Sequence, residues 1–337
     1  MKQISQAILL LLIIFSCLSS ESQERVDYKY QINKGTEVLA ITNREYNINN
    51  GKYIFQNLVD TISPLSFFHT KHIADNNIRL EKLTFKKLEK FISSKEGNWL
   101  LFVHGDFKTF ELSVLRAMDI SETYGINVMV FCWPSKDPKL SGTKNFKNSK
   151  SNVYKSKNDF LELLDLLNKL NGDNVLMSDS ISAFFHSLGN LYLQSYAEGS
   201  NAREKIFSNL IINSAAVEEE DHNIWVDKLN LQKRLYILFN EKDFTLNGLR
   251  IFTPAGKQLG ERIRDTLSTK AIYLDFSESI GNEFPTWNSH SYYIGDIPSQ
   301  NKIVMEIYWQ LYNSKFIDLG NGLLFEATES PNRYVVK

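Results

Sequence analysis

From Trp99 onward the apolar residues fall into short unbroken runs, separated by longer stretches in which they recur every third or fourth position. Trp99 to Val103, Val128 to Cys132, Ile181 to Phe185, Phe207 to Ile212, Leu235 to Phe239 and Ala271 to Leu274 are runs with no polar face, or nearly none, as in strands buried on both sides. Between them, Phe110 to Tyr124, Lys157 to Leu170, Leu191 to Ala197, Leu246 to Leu267 and Lys302 to Tyr312 read as helical. Upstream, Val26 to Ile92 is a β-rich lead-in, with a strand at Glu37 to Thr42, a turn at Asn47 to Gly51, and a loose helical period over Arg79 to Phe91. Lys136 to Lys157 mixes lysine with Ser, Asn and Thr and reads as a solvated loop. Strands alternating with helices predict an α/β fold with a mostly parallel central sheet and helices on both faces. With no internal repeat and no low-complexity linker, residues 26–337 are expected to form a single domain.

The first twenty residues stand apart. Lys2, the apolar stretch Ala7 to Phe15 and the small residues around Ser16-Cys17-Leu18-Ser19-Ser20 make residues 1–20 an expected secretory signal, too short to span a bilayer. Ile14-Phe15-Ser16-Cys17 also resembles a lipobox, which would make Cys17 the lipidated first residue of the mature chain; the alternative is simple cleavage and secretion. Both readings place the protein in the cell envelope or outside it, with membrane contact only through an anchor at Cys17. Cys132 is the only other cysteine, so processing leaves no intrachain disulfide to form. The 337-residue chain is 43% hydrophobic with a formal net charge of -1 and interspersed signs, which does not suit a nucleic-acid partner. His69 and His72 lie close in sequence, but no carboxylate or cysteine cluster completes a metal site around them, and no cofactor is implied.

In sheets of this kind reactive groups gather at the carboxyl ends of the strands. Phe185-His186-Ser187-Leu188-Gly189-Asn190 joins a strand to a helix, the setting of a nucleophile elbow, in which a serine stands on a strained turn and the next N–H, here that of Leu188, faces the developing oxyanion. A bare Ser-x-Gly also suits a strand end followed by a helix cap. Beyond it, Phe239 is followed by Asn240-Glu241-Lys242-Asp243, and the last strand by a loop reaching His290. Ser187, Asp243 and His290 therefore occur in the order nucleophile, acid, base. Glu218-Glu219-Glu220-Asp221 supplies a rival acid, and His104, His186 and His222 rival bases. The residue types answer the chemistry: serine is a weak nucleophile until a histidine takes its proton, and a carboxylate orients and stabilises that histidine. After Val103, His104-Gly105 lets the chain double back, and would aim the N–H of Asp106 or Phe107 at the same oxyanion.

Leu101-Phe102-Val103-His104-Gly105, Val130-Phe131-Cys132-Trp133-Pro134-Ser135, His186-Ser187-Leu188-Gly189-Asn190, Asn240-Glu241-Lys242-Asp243 and His290-Ser291-Tyr292-Tyr293, taken together and in order, resemble a bacterial α/β-hydrolase family of largely unassigned function. The resemblance runs from about Thr36 to Leu311. It implies the α/β-hydrolase fold with Ser187 as nucleophile, Asp243 as acid and His290 as base. Two departures stand out: Phe185 replaces a small residue before the elbow, and Asp106-Phe107 replaces Tyr-Asn after His-Gly. A phenyl ring at 185 must find a pocket or twist the turn, and a carboxylate at 106 brings negative charge towards an anion-binding loop.

The expected function is a serine hydrolase that cleaves an ester, thioester or amide of a small-molecule or lipid-like acyl substrate through an acyl-enzyme on Ser187. The alternative is a catalytically silent α/β-hydrolase scaffold that binds a ligand or partner at the cell envelope.

Overall fold

The computed structural model describes residues 30, 32–63, 65–75, 77–199, 204–252, 256–281 and 289–337. The expected signal segment, with Cys17, lies outside the described residues. The strands, in chain order, are β1 (Glu37–Thr42), β2 (Arg44–Asn49), β3 (Lys52–Val59), β4 (Ser66–Ala74), β5 (Asn77–Leu83), β6 (Trp99–Val103), β7 (Asn127–Cys132), β8 (Ile181–His186), β9 (Phe207–Asn213), β10 (Gln232–Phe239), β11 (Ala271–Asp275), β12 (Phe325–Ala327) and β13 (Arg333–Val336). All but β2 and β3 join one 11-stranded sheet in the order β12-β13-β11-β10-β9-β8-β6-β7-β1-β4-β5. From β13 to β1 every pair is parallel, and only the outer strands β12, β4 and β5 run antiparallel to their neighbours.

Each central strand divides its side chains between two cores. Leu101, Val103, Ala183 and Phe185 point to one face with Phe160, Leu164 and Leu167 of the helix Lys157–Gly172. Leu100, Phe102 and Phe184 point to the other with Val114, Leu115 and Met118 of the helix Phe110–Tyr124. Burial on both faces is why these strands are apolar without alternation. The β2–β3 hairpin adds an aromatic cover to the second face, with Phe55 stacked on Phe110 at a centroid separation of 3.5 Å.

The chain leaves β6 by the helix Phe110–Tyr124 to reach β7 on one side, then crosses back over the opposite face to reach β8 on the other. Strand order therefore reverses at β6 and β8, and the carboxyl ends of those two strands mark the usual ligand site of an open parallel sheet.

Three expectations about local structure are corrected. Arg79–Leu83 belongs to β5, an edge strand of largely exposed side chains, and the helix starts only at Phe85, where the Thr84 hydroxyl caps the Lys87 N–H. Leu80 and Leu83 are spaced as in a helix, whereas Ile78 and Leu80 alternate as in a strand, and pairing with β4 decided the matter. Lys136–Lys157 is not a loop throughout: Gly142–Lys155 is a helix whose buried stripe includes Asn145, Ser149 and Asn152, hidden from a search for apolar periodicity because it is mainly polar. Leu246–Leu267 is helical only as far as Phe252; from Leu259 the chain runs against the loop after β9, with hydrogen bonds from Leu259 and Gly260 to the carbonyls of Val217 and Ala215. The sheet also continues past Ala271–Asp275 with β12 and β13.

Candidate active site

Ser187 lies directly after β8, with φ +52°, a left-handed conformation that is uncommon for any residue but glycine. Nearby groups hold it there. The Asn190 amide donates to the carbonyls of Phe185, Ser187 and Asn213 at 3.1, 2.9 and 3.2 Å, and the Ala216 N–H donates to the Ser187 carbonyl at 3.2 Å. The helix that follows can approach β6 because residue 189 is glycine; a Cβ there would lie 2.7 Å from the His104 carbonyl oxygen and 2.8 Å from that of Val103. Phe185 is fully buried, its ring edge-on to Phe160 at 5.9 Å. The phenyl ring has thus found a pocket behind the sheet, and the turn keeps its strained shape.

Asp243 and His290 come together from separate loops. Asp243, fully buried, follows β10 and caps the helix Phe244–Phe252, its Oδ1 accepting from the Leu246 N–H at 3.0 Å. Its Oδ2 lies 2.7 Å from Nδ1 of His290. Asn240 joins the two loops: its side-chain oxygen accepts from the Lys242 N–H, and its amide donates to the Ser289 carbonyl at 2.9 Å. The imidazole of His290 packs against that of His186, with centroids 4.7 Å apart, so the base candidate lies beside the residue preceding Ser187. Ser187, His186 and His290 are each only 5–8% exposed.

The loop after β6 runs alongside. A Cβ on Gly105 would sit 2.7 Å from Cβ of Ser187 and 3.3 Å from its Oγ, so glycine is needed for this close approach. Remote residues support the loop. Trp133 stacks on His104 and donates its indole N–H to the His104 carbonyl at 2.8 Å. Ser135 accepts the Phe107 N–H on its carbonyl at 3.0 Å and the Lys108 N–H on its hydroxyl at 3.0 Å. Arg44, 1% exposed, donates to the carbonyls of Trp133 and Lys108 at 2.5 and 2.8 Å. Burial lowers its pKa to about 10, which still leaves it charged at neutral pH. The Asp106 carboxylate accepts from the Asn145 amide at 2.9 Å. Of the two β6-loop amides expected to face an oxyanion, that of Phe107 is engaged with Ser135, and the Leu188 N–H lies in the short turn Ser187–Asn190, where first-turn amides have no partner within the turn.

The rival residues have other work. Glu219 accepts the N–H groups of Arg264 and Asp265, and His222 bonds the Glu219 carbonyl and the Tyr273 hydroxyl. Burial drives the pKa of His104 well below the ordinary imidazole range. The Cys132 thiol, buried and pushed up to about 12, cannot supply a thiolate at neutral pH. Among the described residues no group of three or more His, Cys, Asp or Glu is placed to hold a metal ion.

The family described as "Alpha/beta hydrolase of unknown function (DUF900)" matches residues 81–261, over half of the chain. The chain belongs to that family. No curated protein matches it. Among solved structures it is similar to an alpha/beta hydrolase enzyme from a Medee basin deep-sea metagenome library, at 11% identity over 80% of this chain and 98% of that one, with a TM-score of 0.36. It is also similar to an arylesterase, at 8% identity over 94% and 93% of the two chains and a TM-score of 0.36. A Pyrococcus horikoshii acylaminoacyl peptidase matches at 13% identity over 85% of this chain and 51% of that one, with a TM-score of 0.30.

Residues that sequence reading left without a role now have one. Asn190 and Asn240 are the last and first residues of their motifs, and each ties a strand end to a neighbouring loop; an asparagine three residues from the proposed nucleophile or acid was the available signal. Nothing in the sequence pointed to Arg44 or Asn145, which reach the β6 loop from far along the chain.

Proposed function

We propose that this α/β hydrolase is a serine hydrolase that cleaves an ester, thioester or amide through an acyl-enzyme on Ser187. The observation that carries the reading is the 2.7 Å contact between buried Asp243 and His290, with His290 packed beside the strained turn that bears Ser187. With its Nδ1–H donated to Asp243, neutral His290 carries its base lone pair on Nε2. Nε2 would take the Ser187 proton as Oγ attacks the acyl carbon, and return it to the leaving oxygen, sulfur or nitrogen. The N–H groups of Leu188 and Asp106 are the candidate donors to the oxyanion. Water then attacks the acyl-enzyme by the same proton route. The Asp106 carboxylate is engaged by Asn145, and Phe185 fills the core behind the sheet, so neither departure from the family pattern argues for a silent scaffold.

A fluorophosphonate probe, which reacts with activated serines, tests this directly. It is expected to label Ser187 and to lose labelling in Ser187→Ala, while His290→Ala slows it by on the order of 10⁴-fold. Labelling that persists in Ser187→Ala would reject Ser187 as the nucleophile.

A further inference from the structure

Two imidazoles in contact cannot both be charged without cost, and the one that takes the proton is chosen by its other partners. His290 has the carboxylate of Asp243 at Nδ1. His186 has the opposite kind of neighbour: the side-chain nitrogen of Asn213 lies 3.3 Å from its Nδ1. An amide N–H can only donate, so Nδ1 of His186 must accept, and the single ring proton of His186 sits on Nε2. The orientation of that amide is fixed from behind. The Tyr308 hydroxyl donates to Asn213 Oδ1, and the same amide nitrogen lies 3.1 Å from the Ser214 hydroxyl, which in turn donates to the His290 carbonyl at 3.1 Å. Asn213 therefore contacts the ring of His186 directly and is linked to the His290 backbone through the Ser214 hydroxyl.

We propose that Asn213 and His186 are positioning residues for His290: the Asn213 amide holds His186 as a neutral Nε2–H imidazole against His290, so that His290 alone accepts the proton of Ser187. The proposal rests on the serine-hydrolase reading. The groups facing His186 agree with it. Besides His290 and Asn213, the ring meets Tyr293 at 4.9 Å and Phe184 at 6.3 Å. Burial, then His290 and the more distant Arg116, Lys108 and His104, all disfavour its charged form. The Asp243 carboxylate is paired with His290.

Asn213→Asp tests the assignment with almost no change of shape. A carboxylate in place of the amide accepts where the amide donated, and would draw a proton onto Nδ1 of His186. Nitrogen-15 spectra of the histidine side chains of the full chain, with His186 assigned by its loss in His186→Phe, read this without any activity. In the wild type His186 is expected to be neutral and protonated on Nε2 at neutral pH and to stay so below the ordinary imidazole range; in Asn213→Asp it is expected to be doubly protonated at neutral pH. Fluorophosphonate labelling of Asn213→Asp should then be about 10- to 100-fold slower than wild type at pH 7 and recover towards pH 9 as His186 is discharged. If Asn213→Asp does not fold, Asn213→Ala, which removes the donor, should let His186 titrate nearer the ordinary imidazole value. A wild-type His186 that protonates near pH 6.5 or carries its proton on Nδ1 would overturn the proposal, as would a charged His186 in Asn213→Asp with unchanged labelling. A wild type with the expected spectrum that never labels would instead overturn the serine reading and, with it, the catalytic half of the proposal.

Discussion

The turns after β8 and β6 lie side by side, with Gly105 almost touching Ser187, yet they are held by different means. The β8 turn is braced largely from within: Asn190, three residues after Ser187, donates back to Phe185 and Ser187, and the ring of Phe185 anchors the strand end in the core below. The β6 turn is braced from a distance, by Trp133 and Ser135 after β7, by Asn145 on the next helix, and by Arg44 from the start of the β2 strand. The turn that bears Ser187 carries its support in a few neighbouring residues. The turn that bears Gly105 borrows its support from three other segments. Damage should therefore spread differently from the two.

The largest effect is expected at Phe185. Phe185→Ala removes a fully buried ring and should cost about 3–5 kcal/mol of stability in denaturant unfolding. Because Asn190 and Ala216 still hold the turn, fluorophosphonate labelling of the folded fraction should stay within a few-fold of wild type; labelling that rises sharply would mean that the ring displaces Ser187, contrary to this account. Arg44→Met sharpens the contrast from the other side. It leaves the Trp133 and Lys108 carbonyls without their buried donor and should cost about 2–3 kcal/mol, but here labelling is expected to slow by at least tenfold even in fully folded protein, since the loop proposed to hold the oxyanion loses its brace. Equal labelling rates in folded Arg44→Met and wild type would show that the β6 turn needs no remote support. The smallest effect is that of pH. His104 after β6 and His186 before the β8 turn are both held neutral by burial, with pKa values below those of the unfolded chain. The unfolded state then binds more protons in acid, so stability is full above the unfolded histidine pKa and falls as pH drops below about 6.5, by up to about 1.4 kcal/mol per pH unit for each histidine. Unfolding midpoints measured between pH 8 and 5 in the wild type and in His104→Gln should differ in slope; parallel curves would remove His104 from the balance.

Much of this architecture was legible along the chain because strands buried on both faces must be apolar throughout. β6 to β10 were read from such runs to within a few residues, and the order of the motifs at their ends already suggested Ser187, Asp243 and His290. Periodicity failed where burial was polar or divided. The helix Gly142–Lys155 turns Asn145, Ser149 and Asn152 inward, because its task is to hydrogen-bond loops rather than to fill a core. β5 looked helical because Leu80 and Leu83 are three residues apart, until pairing with β4 sent them to opposite faces of the sheet.

The sequence by itself determined the parallel sheet, the strained serine turn and the order of chemical groups, since each depends on residues a few positions apart: an apolar run, a small residue at a close approach, an asparagine at the end of a motif. Only the tertiary structure decided which acid meets which histidine, that His186 lies against His290 and not away from it, and that a buried arginine from β2 braces the β6 turn. Those are contacts between residues tens to hundreds of positions apart, and hydrogen bonds of that span leave no period in a sequence, because their geometry exists only after the strands have taken their places in the sheet.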